Sequence, residues 1–305
     1  MYVPDFNQLK MIRSLFVLLF VIPAQIATAQ KVVTDWYRIP GYSLNKRAHS
    51  IEWVPEQING VLVLNDHDLE DNTYNEAMKK GIMIVSIVPC ESSLDNFSSD
   101  AVLDTIDTVL GELLKNYKIP DVKIVFGGMS VAGTGVVRYA EYCKSGRSKN
   151  HIKLAGIFAV DPPLDYERVT HEAKNAIKRN YSEDAVNESK MLLKLFADHY
   201  GSDLSALQKA SPFCYNMDNG GNADLLKDLP VRIYADPAIN WYIENRRKDY
   251  YDLNMIDAAA MINQLSLRGN THAELIITAH REGEHPHSWK IVDQKELLEW
   301  CIRLF

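Results

Sequence analysis

Val122-Lys123-Ile124-Val125-Phe126-Gly127-Gly128-Met129-Ser130-Val131-Ala132-Gly133-Thr134-Gly135 is the stretch that decides the fold. A β-branched, apolar run stops at two glycines, and a serine follows. After it, residues 136–143 (VVRYAEYC) read as a helix. The order is strand, sharp turn and helix, with Ser130 at the apex. Such a turn holds its serine in a strained backbone conformation, so the residues two before and two after it must be small. Here they are Gly128 and Ala132. The turn also leaves the Val131 N–H unpaired at a helix N-terminus, where it can meet developing negative charge. A glycine-rich phosphate-binding turn, or plain strand-to-helix punctuation, is the competing reading of the same residues.

Working outward, the N-terminus has the layout of a secretory signal. Lys10 and Arg13 precede an apolar run at 15–22, and Ala27-Thr28-Ala29 provides a small-residue cleavage site before Gln30. The run is shorter than the roughly 20 residues a membrane helix needs. Residues 1–29 are therefore expected to be removed, leaving 30–305 as one α/β domain. A net charge of −7 gives no support for nucleic-acid binding, and no second long apolar segment suggests a membrane span. The expected location is secreted or periplasmic. The four cysteines, Cys90, Cys143, Cys214 and Cys301, are too scattered for a zinc ribbon, and their redox state stays open.

Apolar runs and helical periods alternate along the rest. Residues 31–60 read as two antiparallel strands. Runs at 61–64, 82–88, 152–160, 230–235 and 274–278 read as further strands, buried on both faces where the run is continuous. Helices are expected at 75–80, 101–117, 249–267 and 289–304, with Asp100 as a possible cap. Residues 166–227 are polar and helical, in three candidate helices at 166–180, 183–199 and 204–210. They are long for a crossover and read as an inserted helical cap. The fold class is α/β, a mostly parallel sheet with helices on both faces.

The turn Gly128-Met129-Ser130-Val131-Ala132-Gly133, the stretch Asp161-Pro162-Pro163-Leu164-Asp165 and the loop His285-Pro286-His287-Ser288-Trp289 together resemble the α/β-hydrolase superfamily. More narrowly they resemble secreted bacterial esterase-like serine hydrolases. Ser43-Leu44-Asn45-Lys46-Arg47, ahead of Ile51-Glu52-Trp53-Val54-Pro55, is weakly similar to the opening of esterase-D-like enzymes. The resemblance implies an acyl-enzyme mechanism without cofactor or metal, acting on a small-molecule ester, thioester or amide. It implies a nucleophile, an acid and a histidine in that chain order.

Ser130 is the nucleophile in this scheme, and the base belongs to the loop 279–289, which holds His280, His285 and His287. His287, just before the closing helix, is preferred. His285 ranks second, and a His285–His287 metal pair is a minor alternative because no nearby carboxylate completes it. The acid is placed at Asp236, the carboxylate directly after the strand 230–235. A strand-end turn before Pro237 is its structural alternative, and Asp161 and Asp165 are its rivals. Val131 N–H and an N–H at Asp66 (or His67) would form the oxyanion hole, although Asp66 and Asp68 put negative charge beside it. Trp241 and Trp289 are the candidate substrate-pocket aromatics. The reading is an exported carboxylesterase-type serine hydrolase. A non-catalytic binding protein of the same fold, motivated by the acidic loop at 65–68, and a peptidase of the same fold are the alternatives.

Overall fold

The computed structural model describes residues 30–38, 44, 46–119 and 123–305. The expected signal peptide lies outside the described residues, as do Ser43 and Asn45 of the weakly matched opening.

The chain begins with β1 (Gln30–Asp35), which pairs antiparallel with β2 (His49–Val54). The fully buried β3 (Gly60–Asn65) follows, then α1 (Asp71–Lys79) and β4 (Ile82–Val88). The short α2 (Asp95–Ser98) and the long α3 (Asp100–Tyr117) lead to β5 (Ile124–Met129), which runs directly into α4 (Ser130–Lys144). After β6 (Gly156–Val160) come α5 (Tyr166–Arg179), α6 (Glu183–Tyr200) and α7 (Leu204–Ala210). Then follow β7 (Val231–Ala235), α8 (Ile239–Arg246), α9 (Asn254–Leu267), β8 (Ala273–Ile277) and α10 (Gln294–Leu304). The eight strands form one sheet in the order β1-β2-β4-β3-β5-β6-β7-β8. β2 is antiparallel to β1 and to β4, and the pairs from β4 to β8 are all parallel.

The apolar runs bury both faces because strand side chains alternate. Val61 and Val63 of β3 join Met83, Val85 and Phe126 on one face. Leu62 and Leu64 join Ile84, Val125 and Phe158 on the other. A third cluster, Phe97, Tyr166, Val169, Phe196 and Leu207, ties α2 to the helices between β6 and β7. Tyr166 anchors it, fully buried, with its hydroxyl donating to Phe97 O at 2.7 Å.

Several boundaries differ from the sequence reading, for local reasons. The expected helix at 249–267 starts only at Asn254. Asp249 and Asp252 close a capping box around a single 3-10 turn, and Leu253 is extended. The segment 289–304 is likewise divided: a 3-10 turn at Trp289–Ile291 ends at Val292, and Asp293 then caps α10 by accepting from Lys295 N and Glu296 N. α8 was not expected; it has no apolar stripe of helical period to announce it. Asp100 does not cap α3, since Ser99 holds the cap position and the Asp100 carboxylate pairs with Arg138. Among the described residues the four cysteines are unpaired, and burial pushes the Cys90 and Cys143 thiols up to about 12.

Candidate active site

The adjacent parallel strands β5 and β6 deliver Ser130 and Asp161 at their C-terminal ends, and the loop after β8 delivers His287. β5 ends in the turn read from the sequence. Met129 is extended (φ −116°, ψ 149°), and Ser130 then takes φ 53°, a left-handed conformation that costs a non-glycine residue about 1–3 kcal/mol. Close packing holds it there. A Cβ on Gly127 would lie 1.9 Å from Phe158 Cζ, and one on Gly128 would lie 3.0 Å from the Ala132 backbone. The near side of the turn must be glycine, whereas Ala132 has room for its methyl. Asn65, at the end of β3, donates to Ala132 O at 3.0 Å and pins the first turn of α4 to the sheet.

His287 comes from the loop between β8 and α10. Its Nε2 lies 2.9 Å from Ser130 Oγ. Its Nδ1 lies 2.5 Å from Asp161 Oδ2. Burial opposes charging the His287 ring, but the Asp161 hydrogen bond and charge outweigh it and hold the pKa above the ordinary histidine value. Asp161 follows β6 directly, also at positive φ (47°), with its N–H donating to Tyr234 O at 2.8 Å.

Asp236 is therefore not the partner of His287, and the expected acid is corrected to Asp161. The reason is strand spacing. β6 is the neighbour of β5, whereas β7 lies one strand further, and each step moves a strand end by roughly 5 Å. Asp236, at the end of β7, instead accepts from Ala238 N at 3.1 Å and meets His280 Nδ1 at 3.2 Å in a separate cavity. Asp165, the other rival, caps α5 by accepting from Glu167 N and Arg168 N. His285 stands beside His287 with ring centroids 6.4 Å apart, and it faces Trp241 and Arg246. Both ring nitrogens of each histidine already meet protein partners.

The expected oxyanion donor Asp66 is also corrected. Its N–H is engaged by Ile87 O at 2.8 Å. The acidic side chains of Asp66 and Asp68 are exposed, and Asp68 accepts from the Tyr74 hydroxyl at 3.0 Å. They line a shallow pocket with His67 and Trp289, apart from Ser130. Val131 keeps its expected place, following Ser130 in the first turn of α4. Neither candidate aromatic lines the cavity at Ser130. Trp289 packs on His67 (4.6 Å) and Phe158 (6.0 Å), and Trp241 packs on His285 (4.4 Å). Tyr242, next to Trp241, does line it.

That cavity, about 320 Å³, is bounded by the site and by α5, α6 and α8. Its apolar wall includes Leu94, Phe97, Val169 and Leu192. Its polar wall includes His285, the second-ranked candidate base, together with Glu172, Lys248 and Arg246, which sequence reasoning missed because they lie far apart in the chain. Lys248 pairs with Glu172, which also takes Arg168 at 2.9 Å. Burial lowers the Lys248 pKa, but Glu172 raises it more, so the ammonium stays charged.

No family model matches the chain, and no curated protein matches its sequence. Solved structures do resemble it. MPT51 (FbpC1) of Mycobacterium tuberculosis aligns over 84% of this chain and 92% of its own, with TM-score 0.54 and 12% identity. The carboxylesterase Cest-2923 of Lactobacillus plantarum aligns over 90% and 97%, with TM-score 0.52 and 10% identity. The acylaminoacyl peptidase of Pyrococcus horikoshii aligns over 90% of this chain but 41% of its own, with TM-score 0.56 and 15% identity. At these identities the likeness concerns architecture alone. The strand order, the strained serine after β5 and these neighbours agree on one conclusion: the chain has the α/β-hydrolase fold.

Proposed function

We propose that the protein is an exported serine hydrolase of carboxylesterase type, with Ser130, His287 and Asp161 as its triad. The observation that carries this reading is the unbroken hydrogen-bonded series from Ser130 Oγ through the His287 ring to Asp161, with Ser130 and His287 lining one cavity. In it, Ser130 Oγ attacks the ester carbonyl while His287 Nε2 takes its proton. Asp161 holds the ring in the tautomer with hydrogen on Nδ1 and balances the imidazolium. The Val131 N–H, at the start of α4, meets the oxyanion. The imidazolium then protonates the leaving alcohol, and water releases the acyl group by the reverse sequence. Export rests on the signal-like residues 1–29. Among the described residues no helix is long and apolar enough to cross a membrane.

A non-catalytic binding protein of the same fold is the second reading. It is favoured by one observation, the Asp66 N–H already engaged by Ile87 O where an oxyanion donor was expected. A fluorophosphonate probe separates the two. Labelling of the wild type that vanishes in Ser130→Ala, with turnover of short-chain esters, supports the enzyme. A folded wild type that neither labels nor hydrolyses supports the binding protein. N-terminal sequencing of protein recovered outside the cytoplasm tests export, with Gln30 expected as the first residue.

A further inference from the structure

We infer that Arg246 sets the specificity of the Ser130 cavity and that the substrate is an ester carrying a second, ionised carboxyl group. This rests on the serine-hydrolase reading above and names its substrate class.

Two charges that line the cavity have no ion-pair partner among the described residues, Glu188 on α6 and Arg246 on α8; the others are matched. Glu172 is held between Arg168 and Lys248, buried Asp252 is held by Arg179 and Asn175, and Asp161 is held by His287. Glu188 is exposed. Arg246, at the last turn of α8, has no carboxylate partner among the described residues. Its contacts are the Tyr181 hydroxyl, His285 Nε2 at 2.8 Å, and the faces of Tyr181 and Trp241 at 5.5 and 5.8 Å. A guanidinium in a half-buried wall, facing neutral groups, lacks the planar two-oxygen acceptor it is shaped for.

The His285 contact sharpens the point. His285 Nε2 meets Arg246 Nη2, and His285 Nδ1 meets the backbone N–H of His287 at 3.1 Å. Both neighbours are donors only. A neutral imidazole has one acceptor nitrogen, so only one of these contacts can be a hydrogen bond. Burial, Arg246 and His287 all keep His285 neutral. With Nδ1 accepting from His287, the Nε2–H and the Arg246 N–H face each other. Neither donor then has an acceptor in this contact, and an entering carboxylate would supply one. The carboxylate would stand a short carbon chain from the scissile carbonyl, because the His285 and His287 ring centroids are 6.4 Å apart and His287 touches Ser130. One unmatched positive charge suits a monoanion better than a phosphate dianion.

The test compares matched esters by pH-stat. Monoethyl glutarate against diethyl glutarate places the carboxylate on the acyl side; acetoxyacetate against its ethyl ester places it on the leaving group. A wild-type kcat/KM preference of about 10-fold or more for the acid in one pair is expected, falling about 10- to 100-fold in Arg246→Gln. Arg246→Lys, which keeps the charge without the fork, should retain part of it. If both variants keep the wild-type ratio, or the neutral ester is preferred, the proposal is overturned. Calorimetry of glutarate monoethyl amide with Ser130→Ala is independent of turnover. Binding that disappears in Ser130→Ala/Arg246→Gln supports the anion site even if no ester is hydrolysed, in which case the hydrolase reading alone fails. Absence of binding, or tighter binding of methyl phosphate, overturns the carboxylate assignment.

Discussion

His287 Nδ1 and Asp161 Oδ2 lie 2.5 Å apart, across 126 residues of chain, and this contact sets the polarity of the site. It orients the ring so that Nε2 faces Ser130, and it makes Asp161, rather than Asp236, the group whose loss should matter.

Asp161→Asn should lower kcat toward a neutral ester by up to about 10,000-fold, the scale set when a triad carboxylate becomes an amide and reverses the histidine tautomer. Asp236→Asn, two strands from the nucleophile, should stay within a few-fold of wild type. Steady-state kinetics of both variants decides; equal losses would break the assignment.

Ser130→Ala should abolish fluorophosphonate labelling and reduce ester turnover at least about 1,000-fold, leaving only what binding and the oxyanion donors supply. Intact-protein mass spectrometry of the labelled wild type, with peptide mapping, should place the adduct on Ser130.

The pH dependence has a definite sign. The folded pKa of His287 is raised above 6.5, and catalysis needs the neutral ring. The acid limb of kcat/KM should therefore have its midpoint above 6.5. In Asp161→Asn the two largest effects that raise it, the hydrogen bond to the Asp161 carboxylate and the charge of that group, are gone while burial remains and only the smaller effect of Glu172 persists, so the midpoint of the residual activity should move down. For stability, a raised histidine pKa gives a contribution fully present below about 6.5 and lost as pH rises through the folded value. The thermal-stability margin of wild type over Asp161→Asn should narrow across that window.

Gly127→Ala should destabilise the fold by about 1–3 kcal/mol, because its methyl would meet the Phe158 ring at 1.9 Å. Gly127→Ala/Phe158→Leu should recover part of that loss. Urea denaturation of the single and double variants measures both. A silent single substitution would mean that the strand ends around Ser130 are looser than their packing indicates.

The residues 122–135 determined much by themselves. A β-branched run, two glycines, a serine and a helical pattern admit few backbone paths, so the strained turn, the parallel sheet and the place of Ser130 were legible without coordinates. His287 was legible too, as a histidine in the loop before the closing helix. The acid was not. Asp161 and Asp236 each end a strand and each precede proline, and nothing local tells them apart. Only the spatial order β5-β6-β7 brings Asp161 within reach and leaves Asp236 with His280. The same holds for Asp66, whose N–H is claimed by a carbonyl on neighbouring β4. It holds also for Arg246, which meets His285 only because α8 and the last loop converge on one cavity. Backbone conformation follows from neighbours in sequence, whereas a partner for a charge or an N–H is set by which strand lies alongside, and that is decided by the tertiary structure.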